Sequence, residues 1–313
     1  MHSRVRRCLL ACTLIAGGAS AAPPVPAERA VELAPGVYMF SGTGGAADEH
    51  NLGRIGNGGF IVGEHGVIVV DPGASHAHGQ ARLAAIREVT AQPVRVVLVT
   101  HARPDFLFGG AAFRERGIPV RMHSRTARLM ASRCETCLKT LRQTVGDAAM
   151  LGTVMYQADQ EFDTNHALDL IGRPVRVLSF GHSSGPGDSA VFDERSGVLF
   201  AGGLLDARRV PDIQDSDLEG WIKALGELRA LRPRVIVPGH GAASSSTLTS
   251  IVARYLEQLQ AHVRALLLSG TSLLHIAEAG ELPEYESWDQ YDIIHRRNAA
   301  VAFLRYEREL IFK

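Results

Sequence analysis

The chain has 313 residues, 46% of them hydrophobic and 21% charged, with 33 Lys and Arg balanced by 33 Asp and Glu. These values exclude intrinsic disorder and a fibrous repeat, and zero net charge argues against broad electrostatic binding to nucleic acid or an anionic membrane. Four cysteines are too few for a disulfide scaffold. A soluble globular chain with one large domain or two ordinary ones remains.

Residues 1–21 read as a secretory signal. Arg4, Arg6 and Arg7 form a basic start, Cys8 to Gly18 an apolar stretch, and Ala19-Ser-Ala21 a small-residue cleavage motif. The apolar stretch is shorter than the roughly 20 residues needed to span a bilayer, so no membrane span is expected after cleavage. Without it the chain carries a net charge of −3 and is expected in the periplasm or outside the cell. Two cysteines then remain, Cys134 and Cys137, which in an oxidising compartment most simply form a local disulfide.

Residues 22–35, rich in Ala and Pro, read as a leader ahead of the folded domain. Strands are then predicted at residues 37–40, 59–63 and 67–71, and Gly56-Asn-Gly-Gly59 reads as a hairpin turn. Helical periodicity runs from Ala77 to Thr90, and the β-branched run from Val94 to Thr100 reads as a strand buried on both faces. A short helix at 111–116, a strand at 119–122 and a long helix at 125–145 follow. The pattern recurs with strands at 172–180, 189–192, 197–201 and 234–237 and a helix at 217–231. Two β-rich halves with helices after their strands predict two sheets packed face to face with helices outside. Residues 36–245 form that domain, and 246–313 are a helical C-terminal extension of it.

Polar residues cluster just after the strands, where loops of α/β proteins place ligands. Asp71 follows one strand, and Thr100-His101-Ala-Arg103-Pro-Asp105-Phe106 follows the next. His182-Ser-Ser-Gly-Pro-Gly-Asp188 and Pro238-Gly-His240 follow two more. Imidazole nitrogen and carboxylate oxygen are the natural donors for Zn²⁺ or a similar ion. Asp71 is expected to orient a neighbouring ligand or cap its loop. His123 reads as a satisfied loop residue, and His50, His65, His76, His78 and His166 read as surface residues.

The order Asp71, Thr-His-x-x-x-Asp, Gly-His then Gly-Asp, and Pro-Gly-His resembles the metallo-β-lactamase superfamily over residues 37–243. The resemblance implies an αββα four-layer sandwich and a metal-dependent hydrolase, with His101, Asp105, His182 and His240 as metal ligands and Asp105 as the catalytic carboxylate. The sequence departs from the family's His-x-His-x-Asp-His loop: Arg103 stands at the second histidine and Phe106 at the last. The carboxylate that bridges two metals falls near Gly203. Arginine offers a cation without a lone pair, and Phe and Gly offer no donor. At most one zinc is therefore expected, helped by Asp206 or Asp188, since catalytic zinc usually has three protein ligands. A metal-free pocket with Arg103 paired to Asp105 is the alternative, which makes the chain a non-catalytic binding or accessory protein. A third arrangement makes Arg103 an anion-binding residue beside a weak metal site.

Within the superfamily, the sequence resembles the periplasmic quinoprotein relay system zinc metallohydrolases. The resemblance rests on the His182–Asp188 stretch, Cys134-x-x-Cys137-Leu, Leu204-Leu-Asp-Ala-Arg-Arg-x-Pro-Asp212 and Trp288-x-x-Tyr291-x-x-x-His295-x-x-Asn298. It implies support of a periplasmic quinoprotein dehydrogenase, alongside a small-molecule substrate that the sequence does not specify.

Overall fold

The computed structural model describes residues 26–312; the segment expected to be a secretory signal, residues 1–21, lies outside them. Seven strands in sequence order form the first sheet. β1 (Ala30–Ala34), β2 (Val37–Phe40), β3 (Gly58–Val62) and β4 (Val67–Val70) pair antiparallel. β5 (Val94–Val99), β6 (Val120–His123) and β7 (Gln160–Phe162) then join in parallel. The second sheet has the order β12 (Val235–His240), β11 (Val198–Asp206), β10 (Ser189–Asp193), β9 (Val175–Ser179), β8 (His166–Ala167).

Alternation of side chains along each strand explains why the sheets stack. In β4 and β5, Val67, Val69, Val97 and Val99 face the outer helices, whereas Ile68, Val70, Val96 and Leu98 face the second sheet. In the second sheet, Val177, Val191, Val198 and Phe200 return that contact, and Leu178, Phe192 and Leu199 face outward. Three apolar layers result. One lies under α1 (His76–Val89), α3 (Gly110–Arg114) and α4 (Ser124–Val145), and one lies between the sheets. The third lies under α5 (Leu218–Ala230), α6 (Leu248–Leu268) and the C-terminal helix Arg296–Ile311. The expected αββα sandwich with a helical C-terminal region is what forms. No helix among the described residues is long and apolar enough to cross a membrane.

Several local expectations are corrected. Residues 30–34, assigned to a leader, are the edge strand β1. Glu28, just before it, is buried against Arg54, His78 and Arg82, so His78 is 1% exposed rather than a surface residue. Gly56-Asn-Gly-Gly59 ends a long loop and starts β3; it is no hairpin turn. Asn57 instead donates to the Pro238 and Gly241 carbonyls and accepts from the Gly42 amide, pinning the end of β12 across the sandwich.

One ion pair fastens the layers on the far side. Arg173 grips Asp193 with two parallel bonds of 2.6 and 2.7 Å, and its Nη1 donates to the Pro35 and Val62 carbonyls of the first sheet. Both side chains are almost fully buried. Asp193→Ala leaves a buried guanidinium without its counter-charge, so it is expected to cost about 3–5 kcal/mol of stability. Urea unfolding measures this, and a loss below about 1 kcal/mol contradicts the role assigned to the pair.

Candidate functional site

The loops that leave β4, β5, β11 and β12 meet at one end of the sandwich. Asp71, at the exit of β4 with a left-handed backbone (φ 55°), accepts the Thr100 backbone N–H at 2.8 Å. The Thr100 hydroxyl lies 2.8 Å from the Asp71 carboxyl and 2.8 Å from His101 Nδ1. Asp71 therefore orients His101 through Thr100, the supporting role expected of it. Burial raises the Asp71 carboxyl to about 7 despite its bonds to Thr100.

The Gly203 amide donates to His101 Nδ1 at 3.2 Å. Nδ1 is thus an acceptor, and the proton of this neutral ring belongs on Nε2. Burial first, then the Arg103 charge, keep the imidazole neutral by lowering it to about 3. His101 Nε2 is buried without a hydrogen-bond partner.

His240 is held differently. The parallel register of β11 and β12 sets Asp206 opposite His240, and Asp206 Oδ1 lies 2.7 Å from His240 Nδ1. Asp105, in the first turn of α2 (Pro104–Leu107), reaches the other face of the ring, with Oδ2 2.8 Å from Nε2. Burial would lower the imidazole, but the Asp206 charge and the Asp105 bond outweigh it and lift it to about 9. Burial likewise opposes ionisation of Asp105, yet the bond to His240 and the nearby charges hold it below the usual range. The result is a buried imidazolium clamped between two acidic side chains.

Phe106 separates the two histidines. Its ring, fully buried, lies with its centroid 4.3 Å from that of His101 and 5.3 Å from that of His240. Glycines permit the tight approach around it. A Cβ on Gly203 would come within 2.7 Å of the His101 ring, and one on Gly202 (φ 51°) within 2.1 Å of the Thr100 hydroxyl.

Arg103 does not pair with Asp105, as the metal-free reading of the sequence had it. Its guanidinium turns to Asp212, donating to the carboxylate and the carbonyl at 3.1 Å each. Arg297 donates to the same carboxylate at 2.7 Å. Asn298 fixes the loop that carries Asp212, donating to the Pro211 carbonyl and accepting from the Ile213 amide. Tyr255 bonds both Asn298 and His295, whose Nε2 faces the Gly280 carbonyl. The C-terminal motif Trp288–Asn298 thus buttresses the site from the outer helical layer. Asp206, Asp212 and Arg297 are the participants whose part in this network sequence reasoning missed or understated.

His182 stands apart from the expected ligand set. It is exposed, its Nε2 bonds the Asp215 carbonyl at 2.7 Å, and it lines a separate cavity of about 440 Å³ with Asp217, Gln260 and Arg305. Asp188 is buried on Ser184 and Gly185, and burial raises it to about 6. His123 caps α4 by accepting the Arg125 amide, the satisfied role expected for it. Cys134 and Cys137 are free thiols in mid-helix, so the expected disulfide is not formed.

A family model for the metallo-β-lactamase superfamily matches residues 52–240 of the chain. The chain belongs to this superfamily. Solved structures agree on the fold. A metallo-β-lactamase from Pontibacter korlensis is 21% identical with a TM-score of 0.61, covering 74% of this chain and 99% of its own. The metallo-β-lactamase FIM-1 from Pseudomonas aeruginosa, in a mono-zinc form, is 21% identical with a TM-score of 0.60, covering 76% and 98%. One from Hirschia baltica is 20% identical with a TM-score of 0.59, covering 74% and 98%. No curated protein matches the chain.

The residues present do not fit the metal centre that such a fold suggests. His101 offers Nε2 with its proton, His240 has both nitrogens engaged, and His182 points elsewhere. Among the described residues, no three His, Cys, Asp or Glu side chains are placed to hold a metal ion.

The clamp carries a pH signature. His240 is raised in the folded state, so its contribution to stability is complete below 6.5 and is lost as pH rises through about 9. Asp206→Asn is expected to lower the His240 titration seen by NMR toward 6.5 and to flatten the fall in urea midpoint between pH 7 and 10, relative to the parent. An unchanged His240 titration in that variant contradicts the clamp.

Proposed function

We propose that this chain is an exported binding or accessory protein built on a metal-hydrolase fold, with a buried ionic cluster where hydrolytic relatives carry their metals. The observation that carries this reading is the engagement of both His240 ring nitrogens by Asp105 and Asp206. A protonated imidazole has no lone pair for zinc, and the buried Phe106 ring adds hydrocarbon between the two histidines. With both His240 nitrogens on carboxylates and His182 facing a separate cavity, the imidazoles do not converge on one metal position.

Arg103 and Arg297 supply the chemistry for a ligand. Both guanidinium groups are partly exposed, with side chains 30% and 41% accessible, and both lean on the single carboxylate of Asp212. A small carboxylate or phosphate can meet solvent-facing guanidinium N–H donors there. The exported location rests on the basic and apolar leader. A periplasmic quinoprotein dehydrogenase as the partner rests on the resemblance carried by residues 134–138, 182–188, 204–212 and 288–298.

Elemental analysis of protein purified without chelator tests the reading. Well under one zinc per chain is expected, with no turnover of ester, thioester or lactam substrates before or after zinc is added. One or two tightly held zinc ions per chain, removed by His101→Ala or His240→Ala, overturn it and restore the hydrolase reading.

A further inference from the structure

The two thiols lie outside the site described above. α4 carries Cys134 and Cys137 three residues apart, and helix geometry sets their Cα atoms about 5 Å apart, inside the span that a disulfide bridges. Cys134 is 1% exposed, in the core shared by α4 and the first sheet, and Cys137 is half-buried at its edge. Residues one helical turn apart share a side of the helix, so the two side chains are neighbours. Arg133, next to Cys134 in the helix, pairs with Asp215 on the segment that holds His182. One thiol is therefore partly open to solvent and its neighbour, one helical turn away, is sheltered in the core.

We propose that Cys134 and Cys137 form a reversible dithiol–disulfide site whose substrate is a disulfide presented from solvent. Cys137, the accessible thiol, gives its proton to water and attacks one sulfur of the incoming disulfide. That S–S bond breaks, a mixed disulfide forms at Cys137, and the first leaving thiolate takes up a proton. Cys134 then loses its proton and attacks Cys137 Sγ. The Cys134–Cys137 bond forms and the second thiol leaves. The protein dithiol is oxidised by two electrons, and the incoming disulfide is reduced to two thiols. Burial and the adjoining Cys137 push the Cys134 thiol up to about 12, which keeps it a poor first nucleophile. The helical turn must tighten to bring the sulfurs into bonding distance. Strained disulfides are the readily reduced ones, so the bond is expected to reverse.

The full chain, equilibrated in graded mixtures of reduced and oxidised glutathione, is trapped by alkylation and digested with trypsin. Cleavage after Arg133 and Lys139 isolates both cysteines in one peptide, away from Cys8 and Cys12. Expected is a single transition from two alkylated thiols to none, reversed by excess reduced glutathione. Cys134→Ser should accumulate a glutathione adduct at Cys137, whereas Cys137→Ser should leave Cys134 free. Cys134→Ala serves in place of Cys134→Ser if circular dichroism shows that the buried hydroxyl unfolds the helix. An oxidised thioredoxin-type protein, run in parallel, distinguishes a protein disulfide from a small one as the source. A peptide that stays doubly alkylated with both oxidants overturns the proposal. So does a Cys134 that is modified in Cys137→Ser as fast as Cys137 is in Cys134→Ser.

Discussion

Carboxylates brought together away from water lose their hydration and repel one another, and they persist only around a cation. Asp105 and Asp206 converge in this way, one from the first turn of α2 and one from the end of β11. His240 lies between them as an imidazolium, within 2.8 Å of both. The surrounding structure is consistent with that choice. The ring of Phe106 packs on the edge of the cluster, and the loop backbone comes close because glycine stands at 56, 202 and 203. Asn57 holds the strand end that presents His240. A positive group at the crossing of these loops is what lets so many acidic and polar side chains share a nearly dry space.

The C-terminal helices take part in the same electrostatics. Arg103 is drawn away from Asp105 because Asp212 offers it a carboxylate and a carbonyl together. Asp212 is available there because Asn298 fixes the backbone on both sides of it. Asn298 and His295 are in turn bonded to Tyr255 of α6. Residues nearly two hundred positions apart in sequence thereby set the direction of one guanidinium. The extension is part of the site's wall as much as of the outer layer.

How much of this could be read from the sequence follows from the range of the forces. The strands buried on both faces, such as Val67–Val70 and Val94–Val99, announce themselves as unbroken β-branched runs. Short polar edges do not: β7 is Gln-Glu-Phe and β8 only His-Ala, and their pairing depends on neighbours. The turn-like Pro238-Gly239 hid the continuation of β12 to His240, where parallel pairing with β11 outweighs local preference. At the site, His101, Asp105 and His240 were legible from their strand-end positions. The partner of Arg103 was not, because Asp105 is near in sequence whereas Asp212 is near only in space. His78 looked like a surface residue because nothing around it in sequence shows that Glu28 closes over it.

Gly203 shows how packing constrains what this protein can become. A Cβ there would press on the His101 ring at 2.7 Å and on the Ser184 hydroxyl at 3.0 Å, in an interior with little slack. Introducing a carboxylate at this position is therefore more than a change of chemistry, since it displaces the imidazole it would have to work beside. Gly56 meets a similar limit, because Phe106 packs against it so closely that a Cβ on Gly56 would fall 2.6 Å from the ring. A carboxylate at 203 thus depends on a prior shift of His101 and Ser184, which are already settled around a glycine. The packing acts as a ratchet: it admits small drifts within the present arrangement and obstructs a stepwise return to another.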